Sequence, residues 1–280
     1  ADVTLDASYA SRTEGGTGYS QAALYNLYHS QQYLAANPYN TAIMQDNNPD
    51  MRKFDVADRE QQKYGARANF YPMEKLNFGV YYNYKNDDYR RSILGLNDHN
   101  AHAVTFDAGY SPIKSASFNT YYTWENNVYN QTSRALSAGA SPYDTTRQWG
   151  LRMADISHTA GLGARLSFMD DLLKFKGDYV VSRTNMSYQF TEGSALNSGN
   201  QDMPDLLTLR HTFKAVGTYS YTRNIDLGVR YMFEMYQNYD WARNIDPSST
   251  VMTNAIALEG MVPDYNAHLG MLFVTYNFEE

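Results

Sequence analysis

Apolar and polar residues alternate with a period of two along ten separate stretches of the chain, and the connections between these stretches are by turns very short and very long. In Leu76-Asn77-Phe78-Gly79-Val80-Tyr81-Tyr82-Asn83-Tyr84-Lys85, one face carries Leu76, Phe78, Val80, Tyr82 and Tyr84, and the other carries Asn77, Gly79, Tyr81, Asn83 and Lys85. Successive side chains of a strand point to opposite sides, so one face suits lipid and the other a wet lumen. The pattern predicts strands near 2–12, 61–71, 76–90, 100–110, 116–128, 157–168, 172–188, 207–221, 225–239 and 265–278. The fold expected is all-β: one domain over 1–280, a transmembrane antiparallel up-and-down β-barrel of about ten strands.

The connections orient it. Those near 72–75, 111–115, 169–171 and 222–224 are short, and each follows an aromatic, Tyr71, Tyr110, Phe168 or Tyr221. Outer-membrane barrels have short periplasmic turns and aromatic girdles, so these residues, with Phe278 at the end of the last strand, are expected at the periplasmic rim. The long connections near 13–60, 129–156, 189–206 and 240–264, and a shorter one near 91–99, are then extracellular, and both termini periplasmic. Residues 20–28 have the propensity of a short helix.

Composition agrees. The mean hydropathy is -0.59, and no apolar run approaches the roughly 20 residues of a membrane-spanning helix. A closed barrel, in which every backbone polar group is paired, is the spanning structure left. The 26 tyrosines suit interfacial belts, because a tyrosine is apolar in body and polar at its tip. The absence of cysteine excludes thiolate metal sites and covalent haem attachment, so no cofactor is expected in this chain. A net charge of -7 without basic clusters argues against nucleic acid. No charged-then-apolar leader precedes Ala1, and the chain reads as a mature product or a fragment.

Four of the six histidines, His102, His158, His211 and His268, fall near the start of descending strands, eight to ten residues before an aromatic at Tyr110, Phe168, Tyr219 or Phe278. By parity all four face lipid. Such a row near the outer-leaflet interface could donate to lipopolysaccharide phosphates, or simply fill sites that tolerate amphipathic rings. The opposite face carries charges of both signs, including Lys63, Arg67, Asp107, Arg165, Lys176, Asp178, Arg210, Arg230 and Glu234, the pattern of solvated ion pairs bracing a wall. The last strand departs from it. Its inward row, Tyr265, Ala267, Leu269, Met271 and Phe273, is apolar, and something apolar is expected to cover it, such as a docked partner or inner aromatics like Tyr81 and Tyr121. Asp87, Asp88, Asp98 and His99 flank one mouth loop, where some barrels of this size carry a protease site, yet no second Asp–His pair lines up opposite. The Asp46, Asn48, Asp50 spacing lacks the glycine and glutamate of a calcium loop. The amphipathic, aromatic-ended last strand is the feature barrel-assembly machinery reads, here followed by Glu279-Glu280.

The segments Tyr82-Asn83-Tyr84-Lys85-Asn86-Asp87-Asp88-Tyr89, Ser157-His158-Thr159-Ala160-Gly161-Leu162-Gly163 and Val262-Pro263-Asp264-Tyr265-Asn266-Ala267-His268-Leu269 resemble the C-terminal part of the decahaem-associated outer-membrane barrel proteins of MtrB/PioB type. The resemblance covers most of the chain. It implies a porin-like barrel in a Gram-negative outer membrane that sheathes a multihaem c-type cytochrome during extracellular electron transfer, with haem on the partner only and no catalytic residues. Leu269, Met271, Phe273, Tyr81 and Tyr121 become the expected partner contacts. Family members are much longer, and a closed barrel of about ten strands is too narrow for a cytochrome. Either this is the C-terminal portion of a larger barrel, or it is a small relative without the sheath role; a passive porin or adhesin and an outer-membrane protease are the rival functions.

Overall fold

The computed structural model describes residues 1–13, 51, 52, 54, 55, 57–90, 92–135, 144–196, 202–240 and 264–278. They form one large sheet. Its strands are β1 (Asp2–Arg12), β2 (Met51–Arg52), β3 (Arg59–Met73), β4 (Leu76–Asp88), β5 (Leu94–Ile113), β6 (Ala116–Arg134), β7 (Gln148–Phe168), β8 (Leu173–Glu192), β9 (Met203–Ser220), β10 (Ile225–Tyr239) and β11 (Tyr265–Tyr276). Apart from β2, ten strands pair antiparallel in simple chain order, from β1 and β3 to β11. The short β2 lies parallel to the start of β5, Met51 opposite Leu94 and Arg52 opposite Gly95. The expected helix at 20–28 falls outside the described residues.

The all-β, antiparallel up-and-down order is the one expected, and the sheet is open. Among the described residues β1 pairs only with β3 and β11 only with β10. Their outer edges carry unmatched N–H and C=O groups, so ten strands of this register do not by themselves complete a cylinder.

The short turns gather on one rim. β3 to β4 and β5 to β6 turn within two residues, Glu74-Lys75 and Lys114-Ser115, and a bulge precedes each turn, at 70–73 and 110–113. Between β7 and β8, Met169, Asp170 and Asp171 all adopt left-handed φ values of 55°, 51° and 71°. Consecutive non-glycine residues there are uncommon, and the Ser167 hydroxyl donating to the Asp171 carboxylate helps hold the turn.

Toward the opposite rim the strands run well past the alternating segments. β5 begins at Leu94, β6 continues to Arg134, β7 starts at Gln148, β8 reaches Glu192 and β9 starts at Met203. Backbone pairing needs no alternation where both faces are wet, and the Asn-rich run from Asn126 to Thr132 pairs on both sides. A small core lies at this end. Ala57 and Leu94 are each 1% exposed, and the Arg12 guanidinium ties the chain ahead of β3 to β1 by donating to the carbonyls of Phe54 and Ala57 at 2.6 and 2.8 Å.

Candidate functional site

The inward row of β11 lies where its parity puts it. In the β10–β11 ladder Phe273 faces Gly228, Met271 faces Arg230 and Leu269 faces Met232. Gly228 has no side chain, so the Phe273 ring lies across its backbone in space a Cβ would occupy, with the Arg230 guanidinium 5.8 Å from the ring centroid. The same device recurs. Tyr121 covers Gly161, and Tyr81 lies beside Gly79 with Arg67 4.6 Å from its ring centre. A ring laid on a glycine covers exposed backbone and flattens the wall. Leu269 and Met271 stay open, 46% and 41% exposed. Tyr121 and Tyr81 stand on β6 and β4, five and seven strands from β11, which is roughly 24 and 34 Å along the sheet. They are not neighbours of the β11 row.

Around this row the wall is polar and braced. Arg210 Nη2 meets Glu234 Oε2 at 2.5 Å, and the Tyr265 hydroxyl donates to the other oxygen of Glu234 at 2.5 Å. Lys176 pairs with Asp178 at 3.3 Å, and the Ser220 hydroxyl donates to Asp226 at 2.7 Å. Ion pairs of this exposure contribute little to stability. Their effect is to fix the shape and hydration of the inner surface.

The mouth residues do come together. Asp87 is buried, and its carboxylate accepts from Gln61 at 2.5 Å and meets Lys85 Nζ at 2.7 Å, His99 Nδ1 at 3.3 Å and Arg59 Nε at 3.7 Å. Burial pushes its pKa up, but the hydrogen bonds from Lys85 and Gln61 outweigh this and hold the carboxyl below the usual range. Asp88 is paired with Arg90 at 2.6 Å, and Asp98 accepts from Asn100 and Asn130. These carboxylates are engaged in structure. His99 stacks on Tyr129 at 4.1 Å between centroids, and its Nε2 is buried without a hydrogen-bond partner. Nearby Asp155 also has a buried, unpartnered Oδ1, and burial raises its pKa. The Tyr129 and Tyr188 hydroxyls are pushed up by burial, with the Asp155 charge adding to the effect. Asp155 was not singled out from sequence, although its parity places it inward.

The outward face carries a repeated construction. His102, His158, His211 and His268 each share a hydrogen bond through Nδ1 with a tyrosine on the preceding strand: Tyr82 at 3.0 Å, Tyr122 at 2.7 Å, Tyr179 at 2.6 Å and Tyr231 at 2.8 Å. The four ring pairs have centroids 6.1–6.2 Å apart and are tilted by 33–37°. Each tyrosine sits diagonally opposite its histidine, directly facing Val104, Ala160, Phe213 or Gly270. Eight to ten residues along a strand tilted by about 40° rise roughly 21–26 Å, the height of a barrel's apolar band. Within that band the outward positions of the described strands carry no charge. At the opposite rim Tyr71, Tyr110, Phe168, Tyr221 and Phe278 are all exposed, and Tyr71, beside a bulge, also turns its hydroxyl to Asp2 on the inner face at 3.3 Å. The tyrosine partners were missed from sequence; their signal is one tyrosine at equal height in β4, β6, β8 and β10.

Comparison with known proteins bears on what such a wall serves. The family signature described as outer membrane beta-barrel porin, MtrB/PioB, matches residues 1–278. The outer membrane protein MtrB of Shewanella baltica is 24% identical over 227 residues, which cover 81% of this chain and 31% of that protein. The chain thus spans about a third of the length of that relative. Among solved structures, the copper transporter OprC superposes with a TM-score of 0.52 at 11% identity, over 78% of this chain and 33% of that one, a likeness of fold alone.

Proposed function

This chain belongs to the MtrB/PioB family of outer-membrane β-barrel porins, and from that premise we propose that it is a wall segment of a wide barrel that encloses a multihaem c-type cytochrome, so that electrons cross the outer membrane along the partner's haems. The observation that carries this reading is the inner face of β11. Leu269 and Met271 stay open and Phe273 lies flat on Gly228, a smooth apolar strip on an otherwise charged wall. Water solvates such a strip poorly, at about 25 cal/mol per Å² left exposed, whereas a protein surface would cover it.

The open edges support the same reading. An unpaired strand edge is costly in hydrocarbon, so the free sides of β1 and β11 call for further strands, and further strands make a barrel wider than ten. In this arrangement the chain does no chemistry of its own. Its outward residues meet lipid, its braced inner wall holds a fixed bore, and its low-dielectric strands insulate the partner's cofactors from the bilayer. The short turns face the periplasm, and barrel-assembly machinery inserts the protein from that side.

The test is polar replacement of the strip. Leu269→Ser with Phe273→Ser should lower the haem absorbance recovered with the purified barrel, while heat-modifiable gel mobility, which reports barrel assembly, stays normal. Unchanged haem recovery, or wild-type barrel without haem but with open-channel conductance, would replace the sheath with a passive porin.

A further inference from the structure

Arg183 is the one charged side chain on the outward face of the described strands at the height of the histidine row. It stands directly opposite His158 in the β7–β8 ladder. On its other side it is diagonal to His211, which faces Val181. Directly opposed side chains start about 5 Å apart and diagonal ones about 7–8 Å, so a guanidinium and two imidazoles stand on neighbouring positions of one face. Arg183 is exposed and has neither a carboxylate nor a hydrogen-bond acceptor among the described residues. Tyr122 and Tyr179 occupy Nδ1 of the two histidines. When the phenols donate, Nε2 carries the hydrogen and is left free to donate to an acceptor.

Directly below this spot the outward face is uncharged and largely apolar, with Ala160 and Leu162 on β7, Val181 and Tyr179 on β8 and Phe213 on β9. A cationic donor cluster therefore stands at the head of an apolar strip. That arrangement suits a lipid with a phosphate on its head.

We propose that Arg183, His158 and His211 bind a phosphate of lipid A, the lipid anchor of lipopolysaccharide, with an acyl chain along the apolar strip beneath. The guanidinium supplies charge and paired donors, the geometry that suits phosphate oxygens. The imidazoles complete the shell with Nε2–H donors, and the apolar strip beneath favours a lipid over a free anion. The assignment of lipid A rather than an inner-leaflet lipid rests on the orientation above, with the long connections outside the cell.

The test is native mass spectrometry of the assembled protein, delipidated in detergent and titrated with short-core lipopolysaccharide, phosphatidylglycerol or inorganic phosphate. Wild-type protein should hold one lipopolysaccharide in preference to the other two. Arg183→Gln should weaken binding about tenfold or more, as loss of a charge-assisted group implies, and His158→Gln with His211→Gln should weaken it several-fold. Arg152→Gln, on the same face but higher and bonded to Gln189 at 3.2 Å, should leave it unchanged. Heat-modifiable mobility confirms that each variant is folded. Equal retention by Arg183→Gln, or equal loss with Arg152→Gln, overturns the site. Preference for phosphatidylglycerol that still depends on Arg183 overturns the lipid A assignment and the orientation while leaving the barrel reading intact.

Discussion

Val229→Arg should be far more damaging than Arg230→Ala, although the two positions are adjacent. Val229 faces Leu272 in β11 and Gly217 in β9 and is 51% exposed on the outward side. It lies midway between the pairs Ile225–Tyr276, near the turn rim, and Phe233–His268, at the histidine row. Four residues each way along a strand tilted by about 40° are roughly 10 Å of height, so Val229 is at the bilayer midplane. An arginine there should cost about 2–4 kcal/mol. Arg230 points inward, where its contact with the Phe273 ring at 5.8 Å is exposed, and its removal should cost no more than about 1 kcal/mol. Urea unfolding in phosphocholine vesicles, followed by heat-modifiable mobility and tryptophan fluorescence, measures both. Equal costs, or the larger cost at Arg230, would show that the two faces are reversed or that this segment does not lie in hydrocarbon.

Lys85→Met removes the closest cation from the buried Asp87 carboxylate and should destabilise the mouth by about 1–3 kcal/mol, read as the unfolding midpoint. Because Asp87 is held below its ordinary pKa, the stability it contributes is present above the usual carboxylate range and is lost as pH falls through the depressed value; Asp87→Asn should flatten that acid limb in a pH series. Asp155 has the opposite sign, since burial raises its pKa, so its charged form is a cost once pH exceeds the ordinary range. Asp155→Asn should stabilise the fold at neutral pH by about 1 kcal/mol, read as a higher unfolding midpoint, and bring no gain well below the ordinary carboxylate range, where the carboxyl is protonated in both states. Gly161→Ala puts a methyl group into the Tyr121 ring and should cost about 1–3 kcal/mol, with Gly161→Ala combined with Tyr121→Ala recovering part of the loss.

The two faces of the sheet were legible in the alternation itself, because lipid on one side and water on the other force a period of two. Phe78, Val80 and Tyr82 against Gly79, Tyr81 and Asn83 is that signal at full strength, and β4 begins at the expected residue. The upper ends of the strands were not legible. From Gln148 to Met153 the apolar residues Trp149, Leu151 and Met153 fall on the inward parity, the reverse of the outward set that begins at His158, so this part of β7 does not continue the lipid-facing pattern and its ladder with β6 shows only in three dimensions. Openness is not written in the alternation, since nothing in the pattern of β1 or β11 reports whether the other edge is its mate; it entered only as one of two alternatives raised by the family resemblance and the width of a ten-strand barrel. The outward heights of His102, His158, His211 and His268 followed from counting residues, whereas their tyrosine bonds depend on register, which a single strand does not encode. The pairing of Arg183 with His158 was hidden for the same reason. Asp87 and His99 are twelve residues apart on neighbouring strands, and only the β4–β5 register sets them opposite one another.

The sheath reading is tested most directly by electron cryo-microscopy of the protein extracted from outer membranes in mild detergent with its bound partners. The expected map shows a closed barrel of more strands than these ten, with β1 and β11 each paired along the edge left free here. Haem density should fill the lumen, and a protein surface should lie against Leu269, Met271 and Phe273. A barrel closed by direct pairing of β1 with β11 around a lumen holding only side chains and water would contradict it.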